Sequence, residues 1–324
     1  MSNKQPFVIA HRGASGYLPE HTLAAKALAH AMGADFIEQD VVLSRDGTPL
    51  VLHDIYLDAT TDVAQRFPQR ARADGRFHAI DFDLHEIRQL RVHERIHPAG
   101  NANGQAVYPQ RFPVQPGLFQ VPTLAEEIAL LAGLDHSRGC RTGLYIELKA
   151  PNWHRREGHD LTAAVVRVLQ DSGYWNRPEQ VFLQCFDDRT LRALRDEYAT
   201  TLPLIQLIGE NDWGEDSEVD YDFLRTEAGV AYVASYAQGI GPWLSHLYLG
   251  KSAAGNPLFS PLVELAHAQG LVVHPYTLRR DELPAGINSF TELLDLVVRQ
   301  LRVDGLFTDF PDLAHDYVTA LPGA

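Results

Sequence analysis

Two kinds of hydrophobic pattern alternate along the chain. Short apolar runs rich in β-branched and aromatic residues predict β-strands, and longer stretches with an apolar residue every three or four positions predict amphipathic helices. The predicted strands are Phe7–Ala10, Phe36–Asp40, Pro49–His53, Tyr145–Lys149, Val181–Phe186, Leu204–Ile208, Val230–Ala234, Leu271–Tyr276 and Gly305–Thr308. The predicted helices are Glu20–Met32, Leu124–Leu134, Leu161–Gln170, Asp188–Tyr198, Pro261–Ala268 and Phe290–Leu301.

This alternation is typical of a parallel sheet whose strands are joined by crossover helices. Carried through 324 residues, it predicts an α/β fold of the TIM-type (β/α)8 barrel class. We therefore expect a single domain over residues 1–324. Nine predicted strands compete for the eight positions of such a barrel, and the pattern leaves open which strand is additional.

The alternation stops between residues 54 and 122, where Pro, Gly, Arg and aromatic residues are frequent. Connections of this length without regular structure are uncommon in compact domains and are usually functional or flexible. We therefore predict an insertion of roughly 60–70 residues after the third strand. Because it directly follows His53 and Asp54, we expect it to cap the mouth of the barrel; a surface decoration is the alternative.

Composition excludes some classes of partner. The chain has 28 Lys and Arg against 42 Asp and Glu, a formal net charge of −14. Such a chain would be repelled by nucleic-acid phosphates, so no nucleic-acid partner is expected. The basic stretch at residues 66–76 is the local exception and is interpreted as a solvated loop. The two cysteines, Cys140 and Cys185, lack the Cys/His spacing of a zinc site and cannot form a disulfide framework.

No window approaches about 18 uninterrupted apolar residues, so no transmembrane helix is expected. The N-terminus has no basic segment followed by a long apolar stretch, and as written it predicts a cytoplasmic protein without a signal peptide. A chain from which an export signal had been removed would look the same, and its location would then be periplasmic.

Polar residues that can do chemistry recur at the carboxyl ends of the predicted strands. All strand ends of this kind meet at one rim of a β/α barrel, and that rim is where active sites form. These residues are His11, Arg12, Glu38, Asp40, His53, Asp54, Glu147, Lys149, Phe186, Tyr276 and Asp309. We therefore expect side chains some 270 positions apart in the chain to converge.

Three of these residues are acids that could hold a metal ion. Glu38 and Asp40 are two positions apart on one strand and share a face. If Glu147 joins them, three carboxylates without a thiolate favour a hard cation such as Mg²⁺ or Ca²⁺. The cation would also relieve the repulsion between them. Separate salt bridges are the alternative for each acid taken alone.

His11 and His53 suit general acid–base catalysis because imidazole titrates near neutral pH. Arg12 and Lys149 add positive charge, which suits a phosphoryl group gaining negative charge in the transition state. Other histidines, such as His30, have no such context. The residues alone thus predict a hydrolytic or lyase barrel with a hard metal ion, two histidines and an anionic substrate.

The motifs of the chain resemble those of the glycerophosphodiester phosphodiesterases. The resemblance rests on IAHRGASGYLPEHT (Ile9–Thr22), EQD (Glu38–Asp40), LHD (Leu52–Asp54), IELK (Ile146–Lys149), QCF (Gln184–Phe186), HPYTLR (His274–Arg279) and DGLFTDFPD (Asp304–Asp312), which follow the family order over almost the whole chain. The long insertion, PEHT, QLI, GIGP and HPYT are most similar to the bacterial periplasmic, broad-specificity type. One departure is IELK in place of PEIK, which keeps both the acid and the lysine.

The resemblance implies a role for each residue at the strand ends. It implies one divalent cation, with Ca²⁺ favoured and Mg²⁺ as the alternative. It also implies a mechanism in which the 2-hydroxyl of glycerol attacks phosphorus before water opens a cyclic phosphate. The products would be glycerol 3-phosphate and an alcohol such as choline or ethanolamine. By position, the cation would be held by Glu38, Asp40 and Glu147, the acid–base pair would be His11 and His53, the phosphate would be bound by Arg12 and Lys149, and the glycerol side would be lined by Phe186 and Tyr276.

Three other functions remain open from the sequence. A phospholipase D-like lyase would share the barrel, metal and histidines but release a cyclic phosphate. A glycoside hydrolase would use paired carboxylates without a metal. A non-catalytic binding protein could retain the barrel alone. The expected ligand is a small glycerophosphodiester, and the chain could act as a monomer or a homodimer.

Overall fold

A barrel of eight parallel strands forms the centre of the molecule. The computed structural model describes residues 5–98, 104–115 and 117–321, so the outermost parts of the predicted 1–324 domain lie outside the described residues. The strands are β1 (Phe7–Ala10), β2 (Phe36–Leu43), β3 (Pro49–Val51), β4 (Gly143–Leu148), β5 (Val181–Cys185), β6 (Leu204–Ile208), β7 (Gly239–Pro242), β8 (Tyr248–Lys251), β9 (Pro257–Phe259), β10 (Val272–Val273) and β11 (Gly305–Thr308).

The sheet runs in the order β10, β7, β6, β5, β4, β2, β1, β11. Hydrogen bonds from the Leu278 amide to the Phe307 carbonyl (2.8 Å) and from the Phe307 amide to the Pro275 carbonyl (3.0 Å) join the segment after β10 to β11. These bonds close most of the remaining gap, so the barrel is nearly complete. The predicted α/β TIM-type barrel is confirmed.

Helices surround the barrel. They are α1 (Leu23–Ala31), α2 (Val63–Arg66), α3 (Leu84–Ile87), α4 (Leu124–Arg138), α5 (Pro151–Arg156), α6 (Leu161–Asp171), α7 (Asp188–Asp196), α8 (Tyr221–Leu224), α9 (Glu227–Ala234), α10 (Leu262–Ala268), α11 (Phe290–Asp295) and α12 (Pro311–Thr319). Short 3₁₀ turns lie at Pro68–Arg70, Ala79–Asp81 and Leu244–His246, and α11 continues as a π-helical turn over Leu296–Leu301. All six predicted helices are present. Within the described part of the chain, no helix has both the length and the apolarity to cross a bilayer.

One predicted strand is wrong. Val230–Ala234 lies in α9, because the Thr226 side chain accepts a hydrogen bond from the Gly229 amide and starts a helix there. The apolar run VAYVA is compatible with a strand or a helix, and the N-terminal cap at Thr226 favours the helix.

The strand that takes its place, β7, was not predicted because its sequence is GIGP, and Gly and Pro are depleted in strands. Gly239 is needed there for packing. A Cβ at this position would lie 2.5 Å from the Val272 side chain and 2.7 Å from that of Ile205.

The additional ninth strand is β3. It pairs antiparallel with the end of β2, with Val51 opposite Val41 and Pro49 opposite Leu43. The third strand along the chain is therefore the return arm of a hairpin and holds no position in the barrel. The predicted insertion follows it and carries α2 and α3.

The insertion packs on this hairpin through its own apolar cluster. Buried side chains from both parts take part, including Val42, Leu50, Leu57, Phe82 and Leu90. Because these contacts fix the insertion beside the end of β2, they also fix its arginines near the carboxyl end of the barrel.

Two further features stabilise the barrel. Aromatic side chains fill its interior, with the rings of Tyr145 and Phe182 stacked 4.9 Å apart. Lys26 of α1 and Glu127 of α4 form a fully buried ion pair of 2.7 Å outside it. Lys26 also donates a hydrogen bond to the Glu38 carbonyl, which ties α1 to the strand that carries two of the predicted acids.

Candidate active site

The three predicted acids converge at the carboxyl end of the barrel. In the register of β2 and β4, Asp40 lies beside Glu147 and Glu38 beside Tyr145. Glu38 and Asp40 point the same way because they are two residues apart on β2. Glu38, Asp40 and Glu147 each offer an oxygen within 4.8 Å of the others, and all three residues are buried.

The Glu38 carboxylate is held in place by two donors. It accepts hydrogen bonds from the Gln184 side chain (3.0 Å) and from the Arg12 amide (2.9 Å). Burial and the charge of Asp40 raise the pKa of Glu38 to about 8. Burial, with the charges of Asp40 and Glu38, also raises the pKa of Glu147 against the opposing effect of Lys149.

Asp40 has one oxygen with a donor and one without. Its Oδ2 accepts a hydrogen bond of 2.7 Å from His21. Among the residues that the structure describes, nothing donates to the buried Oδ1. A buried carboxylate oxygen without a donor, beside two further acids, is the chemistry that a divalent cation satisfies. The residues present therefore fit a hard cation.

His11 is oriented by an acid from the far end of the chain. Its Nδ1 donates a 2.6 Å hydrogen bond to Asp309, while its Nε2 lies 3.7 Å from a Glu38 oxygen. Asp309 in turn accepts 2.7 Å bonds from Arg111 and Arg279. Burial and the nearby Arg12 lower the pKa of His11 to about 4. The ring is therefore neutral at pH 7, with Nε2 free to accept a proton.

His53 is oriented in the same way. Its Nδ1 lies 2.5 Å from an Asp54 oxygen, and the other Asp54 oxygen accepts a 2.7 Å bond from Arg95. Burial and the charges of Arg12 and Lys149 lower the pKa of His53 to about 4. Each histidine is thus backed by an acid, and each acid by an arginine of the insertion.

The two predicted cations are both near the acids. Arg12 has a left-handed backbone (φ 56°), and its guanidinium bonds to Glu20 at 3.1 Å and lies 3.6 Å from Asp40. Lys149 is 2.7 Å from a Glu147 oxygen. Burial opposes the charge of Lys149, but Glu147 raises its pKa well above the usual range.

A cavity of about 300 Å³ opens at this rim. All nine predicted site residues line it, including the two aromatic ones, and Trp213 and Trp243 complete its apolar wall. The Tyr276 hydroxyl donates to the Ile208 carbonyl at 2.9 Å, which fixes the ring against the wall.

Comparison with known proteins agrees with this arrangement. Residues 11–313 match the family model described as the glycerophosphoryl diester phosphodiesterase family. The chain belongs to that family. It is therefore a phosphoric diester hydrolase that acts on glycerophosphodiesters.

Curated members of the glycerophosphodiester phosphodiesterase family align over most of the chain. One from Haemophilus influenzae is 39% identical and covers 97% of this chain and 90% of its own. A second, from Treponema pallidum, is 36% identical, and the alignment covers 94% of this chain and 90% of that relative.

Solved structures share the fold. A candidate glycerophosphoryl diester phosphodiesterase from Silicibacter pomeroyi is 27% identical, covers 98% of this chain and 94% of its own, and has a TM-score of 0.72. An Oleispira antarctica phosphodiesterase, solved with sn-glycerol-3-phosphate, is 24% identical, covers 98% of each chain and has a TM-score of 0.63.

Several residues of this phosphodiesterase site were not predicted. Glu20, His21 and Gln184 lie inside the family motifs, but the motifs do not indicate their partners. These partners are Arg12 and Arg95 for Glu20, Asp40 for His21 and Glu38 for Gln184. Arg95 and Arg111 lie in the insertion, which has no periodic pattern. Only the structure assigns these residues to the site.

The structure adds one contact that the sequence spacing does not indicate. The Cys140 sulfur lies 3.6 Å from Nε2 of His30, 110 positions away. The same nitrogen lies 2.9 Å from Asp135. The Asp135 carboxylate also accepts from the Thr142 amide, so the group links α1 to the turn after α4. Cys185 is a buried free thiol.

Proposed function

We propose that the chain hydrolyses glycerophosphodiesters such as glycerophosphocholine and glycerophosphoethanolamine to glycerol 3-phosphate and an alcohol, with His11 and His53 as the acid–base pair. The observation that carries the proposal is the position of two acid-backed imidazoles and three converging carboxylates around one cavity. Glycerol 3-phosphate is also the ligand in the Oleispira antarctica structure.

The proposal includes one divalent cation, with Ca²⁺ favoured and Mg²⁺ as the alternative. Glu38, Asp40 and Glu147 would hold it through their oxygens, one of which, on Asp40, has no donor in the described structure. When bound, it would offset the negative charge of the acids and of the phosphoryl oxygens. Ca²⁺ tolerates irregular oxygen sites better than Mg²⁺, which demands near-octahedral geometry.

The histidines move the protons in this mechanism. One neutral imidazole takes the proton of the glycerol 2-hydroxyl as its oxygen bonds to phosphorus. The other, protonated, gives its proton to the alcohol oxygen as the ester bond breaks. In the second half water attacks the cyclic phosphate, the now neutral imidazole takes its proton, and the first imidazole returns a proton to the 2-oxygen. Asp309 and Asp54 stabilise the imidazolium in turn.

The pKa of about 4 for each histidine describes the site without substrate. An anionic phosphodiester beside the rings favours their charged form and raises these values toward neutral pH. The substrate would thereby help to protonate the imidazole that serves as the acid.

Arg12 and Lys149 would bind the phosphate oxygens. The Nε of Arg12 is buried and has no hydrogen-bond acceptor in the described part of the chain, which leaves it available to a ligand. Phe186 and Tyr276 would line the glycerol side, where their rings lie 6.2 Å apart in an edge-to-face arrangement.

Product analysis tests this function. The chain is incubated with glycerophosphocholine and Ca²⁺, and choline, glycerol 3-phosphate and cyclic phosphate are measured. We expect choline and glycerol 3-phosphate in equal amounts. Cyclic phosphate as the only phosphorus product would indicate the lyase instead, and full activity in excess EDTA would remove the cation from the mechanism.

A further inference from the structure

A second cavity meets the first at the catalytic histidines. It measures about 170 Å³ and shares His11, Arg12, His53 and Arg279 with the larger one. Displacement at phosphorus places the attacking and leaving oxygens roughly in line, on opposite sides of the phosphoryl group. With glycerol in the aromatic cavity, as proposed above, the leaving alcohol extends into this second cavity.

The insertion builds much of the second cavity. Glu94, Arg95, Val107, Tyr108 and Arg111 all line it. The substituent of the leaving alcohol therefore contacts residues of the insertion, which lie outside the barrel strands. This division assigns the choice of head group to the insertion and the chemistry to the barrel.

The arginines of this cavity are already paired. Arg95 bonds to Glu20 and Asp54, both at 2.7 Å. Arg111 bonds to Asp281 at 2.8 Å and to Asp309 at 2.7 Å. The cavity has two further arginines, and both are paired. Arg12 bonds to Glu20, and Arg279 bonds to Asp309. Because all four arginines that line the cavity already bond to carboxylates, they need no anionic ligand to balance their charge.

Glu94 differs from the other acids around the cavity. It is only 3% exposed, and its Oε2 has no hydrogen-bond donor among residues 5–98, 104–115 and 117–321. Within those ranges Glu94 forms no ion pair, whereas Glu20 and Asp309 each pair with arginines. A buried carboxylate oxygen without a donor is costly, and a ligand that brings an N–H group to Oε2 would remove that cost.

We propose that Glu94 binds an N–H donor on the leaving alcohol, so that the enzyme favours head groups with a protonated primary amine over quaternary ones. The inference rests on the proposed function. Ethanolamine and choline esters carry the same charge, but the trimethylated nitrogen of choline has no N–H. Comparison of the two substrates therefore isolates hydrogen bonding from charge.

A cationic occupant would change the charge state of Glu94. Burial and the charge of Glu20 raise the pKa of Glu94 to about 8, against the effect of Arg111. An ammonium group beside the carboxylate would favour its charged form and strengthen the bond.

The test measures kcat/KM for glycerophosphoethanolamine and glycerophosphocholine in the wild type, Glu94→Gln and Glu94→Met. Met removes the acceptor, whereas Gln keeps one carbonyl acceptor. We expect the ethanolamine-to-choline ratio of kcat/KM to fall by about 10-fold in Glu94→Met and by less in Glu94→Gln, as the loss of a charge-assisted hydrogen bond implies. Glu179→Gln, which neutralises an exposed acid just before β5, serves as the control and should keep the wild-type ratio.

An unchanged ratio in Glu94→Met would overturn the inference, whether both substrates slow equally or neither does. Thermal unfolding of each variant verifies that the fold is retained. Failure of the wild type to hydrolyse either ester would instead contradict the proposed function, so the two failures are distinguishable.

Discussion

His11 and Asp309 are 298 residues apart in the chain, yet His11 Nδ1 lies 2.6 Å from an Asp309 oxygen. The contact follows from the pairing of the first and last barrel strands, in which Ala10 lies opposite Thr308. Each of the two residues directly follows its paired strand residue. When β1 pairs with β11 and closes the barrel, Asp309 is therefore brought against His11 and orients this proposed acid–base group.

This pairing predicts that Asp309→Asn lowers kcat by about 10²–10⁴, because His11, the group proposed to transfer the proton, would lose the acid that orients it. The amide can still contact the ring, but it can no longer stabilise an imidazolium, and it can select the wrong tautomer. Steady-state kinetics on glycerophosphocholine measure the effect. Asp312→Asn, which alters an acid bonded to Tyr17 nearby, is the control and should retain most activity. Equal rates for the wild type and Asp309→Asn would contradict the role of Asp309.

Removal of either imidazole should have a comparable effect. We expect His11→Ala and His53→Ala each to lower kcat by about 10²–10⁴. His85→Ala is the matched control, since the His85 side chain is 74% exposed. A near-normal rate in either active-site variant would remove that histidine from the mechanism.

The buried ion pair between Lys26 and Glu127 should matter for stability. Glu127→Leu leaves a buried lysine without its acid, and loss of one partner of such a pair costs about 3–5 kcal/mol. The free energy of unfolding, measured in urea, gives the loss directly. The double variant Lys26→Met with Glu127→Leu removes both charges and should recover much of it. No recovery would show that Lys26 acts mainly through its bond to the Glu38 carbonyl.

A histidine outside the active site should make stability pH-dependent. His154 is fully buried, donates from Nδ1 to the Ala150 carbonyl and accepts at Nε2 from the Leu43 amide. Burial lowers the pKa of His154, so the unfolded chain binds a proton there more readily than the folded one. Its contribution to stability is therefore present above about pH 6.5 and is lost as the pH falls.

Urea unfolding at several pH values tests this sign. His154→Gln should weaken the loss of stability below about pH 6.5, because glutamine can donate and accept without titrating. His85→Gln should leave the pH dependence as in the wild type. An identical pH dependence for the wild type and His154→Gln would contradict the assignment.

The sequence predicted what depends on local position. Glu38, Asp40 and Glu147 stand at strand ends, and strand ends of a parallel barrel share one rim, so their convergence followed from the pattern. The strand β7 escaped prediction because its sequence is GIGP, and Gly239 is required there by the side chains of Val272 and Ile205, which belong to other strands. Long-range packing of this kind leaves no local signal.

The same limit applies to the arginines of the site. Arg95 and Arg111 act on Asp54 and Asp309 from an insertion whose position depends on an apolar cluster with the β2–β3 hairpin. No spacing in the sequence relates them to these acids. The barrel part of the site was therefore predictable from sequence, and the part contributed by the insertion was not.

The most direct test of the central claim is the position of a bound cation. Crystals soaked in Mn²⁺, a stand-in for Ca²⁺ with a strong anomalous signal, should show one peak within about 2.0–2.6 Å of an oxygen from each of Glu38, Asp40 and Glu147. A peak elsewhere, or none at this rim in crystals that retain the fold, would contradict the account.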